Sequence, residues 1–207
     1  GAFNDTQAQA LAGHAISEAV KRSGVAKEEI DDVVIGAASQ QGTQQGNIAR
    51  QALLRAGLPV SVAGMSLDRQ CASGMMAIAT AAKEIIEDGM TITVGGGVES
   101  VSLTRNEHFR TDRARDPWFE TYLPTLYMTM IETAENVAQR YGISREAQDE
   151  YSYQSQMRTA NAQNSGLLDT EIVPLKSQMK IKEKETGKIL IKEVTLKNDE
   201  GNRPNTT

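Results

Sequence analysis

The chain has 207 residues, 39% hydrophobic and 24% charged, which suffices for one or two domains with a proper core. A net charge of −5 gives no basic excess for nucleic acid, no apolar run approaches membrane-spanning length, and the single cysteine allows no intramolecular disulfide and fits a reducing compartment. No signal peptide is visible, and a start at Gly1-Ala2-Phe3 leaves targeting unreadable.

Asn4 or Asp5 is placed to cap a helix running to about Arg22, with Ala8, Leu11, Ala12, Ala15, Ile16 and Ala19 as its apolar stripe and Gly24 as its stop. His14 falls on the opposite, polar face and is expected to be solvated rather than catalytic. Asp32 to Ala37 reads as a buried strand. A Gly/Gln-rich loop (Gln40 to Gly46) follows, then a helix from about Asn47 to Ala56 that Gly57-Leu58-Pro59 ends. Val60 to Leu67 is a second strand. The helix after it carries Met75, Met76, Ile78, Ala79, Ala82, Ile85 and Ile86 on one face, which is the expected packing face, and stops at Gly89. Thr91 to Val94 is a third strand, leading into Gly95-Gly96-Gly97-Val98-Glu99-Ser100. Alternating strands and helices predict a layered α/β domain with a largely parallel sheet. The three glycines lack Gly-x-Gly-x-x-Gly or Walker spacing, so they point to close backbone approach rather than to a phosphate cradle.

Near residue 101 the character changes. Arg105 to Pro117 is polar and mixed in charge, and His108 there reads as a surface residue. Thr129 and Glu132 predict a capping box before a helix over Thr133 to Tyr141, stopped by Gly142. Ser144 caps a long polar helix to about Ser165, whose Tyr151, Gln154, Met157 and Arg158 share a face read as packing. Glu171 to Leu175 is predicted as a short strand. Lys180 to Lys184 and Ile189 to Leu196 alternate around Glu185-Thr186-Gly187-Lys188, a hairpin solvated on one face, and Asn198 to Thr207 is a turn-like tail.

Cys71 is the residue with chemistry. It sits between the second strand and its helix, where free N–H groups and the helix dipole favour a thiolate. Ala72, Ser73 and Gly74 are small enough to let a large substrate reach the sulfur. The alternative is a buried structural cysteine.

Gln70-Cys71-Ala72-Ser73-Gly74 and Gly96-Gly97-Val98-Glu99-Ser100-Val101-Ser102 resemble the acyl-enzyme region of the thiolases. Gly46-Asn47-Ile48-Ala49-Arg50-Gln51 is similar to another core segment of that family. Met130 to Ala138, Tyr141 to Asp149 and Asp169 to Pro174 resemble its loop domain. The resemblance runs in order over nearly the whole chain. It implies a layered α/β core over residues 1–101, without the family's first strand, and an inserted α+β loop domain over 102–207. It also implies a chemistry. Cys71 takes an acyl group from a coenzyme A thioester, and a second acetyl-CoA, deprotonated at its α-carbon, attacks the acyl-enzyme to give a 3-ketoacyl-CoA; the reverse is thiolysis. Met130 is then a wall of the acyl pocket. Acetyl-CoA is a substrate, no cofactor is resident and no metal is expected. A homodimer or homotetramer acting in fatty acid metabolism follows from the same resemblance, cytoplasmic, or mitochondrial or peroxisomal in a eukaryote.

The departures carry expectations too. The family's activating histidine and its second, acid/base cysteine belong to a C-terminal half that lies beyond Thr207. The chain alone is therefore expected not to complete a turnover, and a non-catalytic fragment that binds acyl-CoA or a partner chain is the alternative. Asp68 stands where the family more often has a neutral polar residue. Its carboxylate would weaken the nucleophile unless Arg69 or Arg50 offsets it. Ile48 replaces a usual proline and Ile131 a usual glycine.

Overall fold

Asp32–Gly36 (β1) is buried along its whole length and is the middle strand of a three-stranded parallel sheet, with Ala63–Leu67 (β2) on one side and Thr93–Gly97 (β3) on the other. Its side chains alternate between two layers. Val33 and Ile35 enter the main core with Ala8, Ala12, Ile16 and Val20 of the helix Ala8–Ser23 (α1) and Ile48, Ala52 and Leu53 of the helix Ile48–Arg55 (α2). Val34 faces the other way, onto Ala77 and Ala81 of the helix Ser73–Glu87 (α3). The result is the layered α/β arrangement with a parallel sheet between helices. The structure, a computed structural model, describes all 207 residues. No helix is long and apolar enough to cross a membrane.

Packing divides the chain into two compact units: Gly1–Phe109 with Val173–Lys197, and Arg110–Ile172 with Asn198–Thr207. A cut at 101 therefore gives way to one that groups the hairpin with the first unit. The hairpin, Leu175–Lys182 (β4) and Ile189–Leu196 (β5), is antiparallel. Asn4 exchanges two hydrogen bonds with the Lys180 backbone at 2.8 and 2.9 Å, Thr6 meets Ser177 at 2.6 Å, and Asp5 pairs with Lys180 at 2.7 Å. Because residues 4–6 are used this way, α1 starts later than predicted, with Gln7 at its cap and the Thr43 hydroxyl accepting the Ala8 N–H at 2.9 Å. β4 begins at Leu175 and alternates in burial; residues 171–174, predicted as strand, are turn and coil instead.

In the second unit, Pro117–Tyr122 (α5) follows the short first-unit helix Val101–Thr104 (α4). Its Trp118 meets Phe119 edge-to-face at 5.1 Å and lies tilted over Tyr122 at 4.8 Å, centroid to centroid. Met130–Tyr141 (α6) opens with the predicted capping box: the Thr129 hydroxyl accepts from Glu132 N at 3.2 Å, and the Glu132 carboxylate accepts from Thr129 N at 2.8 Å. Ser144 caps Arg145–Asn164 (α7), against which the tail docks through Asn202 and Arg203 on Gln156.

Two packing expectations are corrected. α1 buries Gly13 and Val20 while Ala15 and Ala19 are exposed. Gly13 lies 3.1 Å, by a virtual Cβ, from the Ala52 carbonyl, so α1 turns its smallest residue to α2. His14 is consequently half-buried, with Nε2 buried and unpartnered rather than solvated. On α3 the predicted packing face is the outer one: Met75, Ile78, Ile85 and Ile86 are exposed, and Ser73, Ala77, Ala81 and Glu84 face the sheet.

Glu84 carries a testable consequence. It is 7% exposed, beside an Asp32 that is 8% exposed, and its Oε2 has no partner. Burial first, then the charges of Asp32 and Asp88, raise its pKa above the ordinary value of 4.5. The folded state therefore holds the proton more tightly than the unfolded chain. The stability this gives is complete below pH 4.5 and is lost as pH rises through the raised value. Glu84→Gln is expected to flatten that slope and, at pH 7, to gain about 1 kcal/mol by removing a poorly solvated charge. Denaturant melts at pH 4 to 8 check it, and an unchanged slope would count against the assignment.

Candidate active site

The turn between β2 and α3 is built around Ser73, which is 4% exposed. Its hydroxyl donates to the Gln70 carbonyl at 2.6 Å and accepts the Arg69 N–H at 2.8 Å. The Asp68 carboxylate accepts the Gln70 N–H at 2.7 Å and lies 3.5 Å from the same hydroxyl. Between these bonds Gln70 is forced to φ +50°, the left-handed region that non-glycine residues avoid at a cost of about 1 kcal/mol. This sharp reversal puts Cys71 two residues before the first helical residue of α3, free and exposed, at the end of the helix where backbone N–H groups point outward.

α3 reaches this position because glycines stand at the points of the sheet where its backbone comes closest, on either side of the Val34 contact with Ala77 and Ala81. A Cβ on Gly36 would lie 2.2 Å from the Ser73 backbone, and one on Gly95 2.7 Å from Ile78 Cα. Of the three glycines after Val94, Gly95 and Gly97 thus serve close backbone approach, while Gly96 faces the other layer with ordinary space. Within the sheet Gly97 pairs with Gly36, and its own Cβ would lie 3.0 Å from Gly74 Cα.

The C-terminal ends of the three parallel strands meet at one edge, where ligands bind in open parallel sheets. There Gly36 to Ser39, Gln70, Cys71, Ser73, Gly74 and Gly97 to Glu99, with Val101 and Arg105, line an open cleft of about 480 Å³. All of its lining belongs to the first unit, and Cys71 is the only nucleophile of thiol type in it. Neither histidine lines it; His108 is 84% exposed beside Glu107. Met130 belongs to the second unit, at the first position of α6, 74% exposed.

The arginines considered as partners of Asp68 are engaged elsewhere. Arg50 donates to the carbonyls of Val60, at 2.9 Å, and Val62, pinning the segment before β2 so that the strand starts only at Ala63. Arg69 reaches the Met76 sulfur at 3.1 Å. Asp68 is used to shape the turn. Two residues of the site escaped sequence reasoning. The Glu99 carboxylate accepts from Ala38 N at 2.9 Å, Ser39 N at 3.4 Å and Gln44 Nε2 at 2.8 Å, and Gln44 is fully buried. A glutamine among four in the loop gives no periodic signal.

The family model "Thiolase, N-terminal domain" matches residues 1–207. The 3-oxoadipyl-CoA/3-oxo-5,6-dehydrosuberyl-CoA thiolase of Escherichia coli K12 is 38% identical over 190 residues, covering 84% of this chain and 47% of the relative. The 3-ketoacyl-CoA thiolase of Bacillus subtilis is 36% identical over 200 residues, covering 93% and 48%. The crystal structure of the Bacillus anthracis acetyl-CoA acetyltransferase superposes with a TM-score of 0.78 at 36% identity, covering all of this chain and 52% of that one. The chain spans about half the length of the curated relatives it matches. With every residue inside the family match, and the β2–α3 turn holding its cysteine at the edge of a parallel sheet, the chain belongs to the thiolase family.

Proposed function

We infer that the full-length protein is an acyl-CoA acyltransferase that forms or cleaves 3-ketoacyl-CoA, acetoacetyl-CoA among them, through an acyl group carried on Cys71. The observation that carries this reading is an exposed thiol at the mouth of α3, inside a cleft large enough for a thioester end. Cys71 Sγ attacks the thioester carbonyl. The C–S bond to coenzyme A breaks, and the coenzyme leaves as a thiolate that takes up a proton. One thioester replaces another, so the step is close to neutral, and a hard transfer is divided into two easier ones. The Cys71 N–H, at the start of the helix, is a donor for the oxyanion formed on the way. In the second step the enolate carbon of acetyl-CoA attacks the acyl carbon and Cys71 is released. Met130 supplies a wall of the acyl pocket; its exposure at the head of α6 leaves the side chain available for this. Coenzyme A thioesters are substrates, with no resident cofactor, and the working protein is a homodimer or homotetramer.

The test is intact mass of the full-length protein after brief incubation with acetyl-CoA, followed by peptide mapping. The expected result is one acetyl group per chain, on the peptide that holds Cys71. An unmodified Cys71 peptide, or an acetyl group mapped elsewhere, would refute the covalent route and favour simple acyl-CoA binding.

A further inference from the structure

Besides the β2–α3 turn, the cleft is lined by residues 37–39, which follow β1, and by Gly97 at the end of β3 with Val98 and Glu99 after it. These segments have no ladder left to join them beyond Val98 N, which donates to the Gly36 carbonyl at 3.0 Å. A polar brace continues where the sheet ends. Glu99 takes the N–H groups of Ala38 and Ser39 on one carboxylate oxygen and the Gln44 side-chain amide on the other. Gln44, fully buried, also donates to the Ser39 carbonyl at 2.8 Å, and its own oxygen accepts the Ser100 N–H. Arg105 Nε stands 3.5 Å from the Ser39 hydroxyl on the outer side.

The chemistry of this brace is directional. All three groups that meet Glu99 are donors, so the site needs an acceptor-only side chain, which among neutral-pH residues means a carboxylate. Gln44 sits between a carbonyl, a carboxylate and an N–H, so it must offer both a donor and an acceptor. An amide at position 99 would turn its NH2 toward at least one N–H, and a carboxylate at position 44 would face the Ser39 carbonyl. Neither residue can be exchanged for the other.

We propose that Glu99 is a positioning residue for acyl transfer, holding the Ala38–Ser39 wall where the thioester must lie against Cys71. The proposal rests on Cys71 being the acyl carrier. A small reagent needs only the thiol, whereas a thioester also needs the wall, and this separates positioning from reactivity.

The test uses the full-length protein and compares E99Q with the parent by iodoacetamide alkylation of Cys71, by acetyl transfer from acetyl-CoA and by thermal melting. E99Q is expected to alkylate at the parent rate, to melt as one cooperative unit and to lose about 10- to 100-fold in acetyl transfer, the scale of a small misplacement of reacting groups. E99D keeps the acceptor-only character on a shorter arm and is expected to fall between the two. Should E99Q fail to fold, E99D decides alone, by the same split between the two rates. Acetyl transfer equal to the parent's, or transfer and alkylation falling together, would overturn the positioning role. A C71A control separates the two levels. If C71A still takes up acetyl groups, the acyl-carrier reading fails and takes this proposal with it. If only C71A loses uptake and E99Q keeps it, the proposal alone fails.

Discussion

Cys71→Ser in the full-length protein is expected to lower acyl transfer by at least about 10³-fold, or about 4 kcal/mol in the barrier, without measurable loss of stability. The two halves of this expectation come from different atoms. The turn is held by Ser73, Asp68 and the backbone of Arg69 and Gln70, and the sulfur takes no part in those bonds. Exchanging an exposed sulfur for oxygen therefore leaves the reversal at Gln70 and the start of α3 intact. The chemistry is altered at its root. An oxygen nucleophile is far weaker than sulfur toward a thioester and needs a base to activate it. Steady-state thiolysis and a melting curve on one preparation check both halves. Activity within about tenfold of the parent would place the nucleophile elsewhere and sink the acyl-enzyme assignment. A large drop in melting temperature would mean that Cys71 is a structural residue after all.

The turn at Cys71 was legible because its signals are local: a β-prone run, small residues, then a helical period. The caps at Thr129, Ser144 and Gly24 were legible for the same reason, each being a side chain or a φ angle that acts within one turn of its own helix. What the sequence did not show is which face of a helix is covered. The apolar maximum of α3 lies on Met75, Ile78, Ile85 and Ile86, yet its contact with the sheet is through Ala77 and Ala81. Periodicity ranks residues by hydrophobicity, and a helix that settles onto a glycine floor is selected for smallness instead. His14 illustrates the same limit, since its half-burial follows from α1 presenting Gly13 to α2. The Gln44–Glu99 brace links residues 55 positions apart through hydrogen bonds, and no pattern of spacing along a chain encodes that.

Gly36→Ala follows from the glycine floor and is expected to be the most disruptive single methyl in the first unit. Its Cβ would lie 2.2 Å from both the carbon and the oxygen of the Ser73 carbonyl, and these are backbone atoms at the head of a 15-residue helix, which no rotamer change can move. Either β1 bends, although it is the central strand and bonded on both sides, or the N-terminus of α3 lifts from the sheet by about 1 Å. The second route is the easier one and it carries Cys71 with it. The expected cost is on the order of 3 kcal/mol, at the upper end for overpacking. Any protein that still folds should also show acyl transfer reduced about 100-fold, because the thiol has moved relative to the 37–39 wall. Gly96→Ala is the internal control: one residue from Gly95, it points to the opposite layer, and its Cβ would meet only Ile35 Cδ1 at an ordinary 3.7 Å. Two neighbouring strands with the same substitution should thus differ by several kcal/mol, read as denaturant midpoints. Similar midpoints for the two variants would show that α3 is not seated on the sheet by backbone contact, and would remove the physical basis for the position of the thiol.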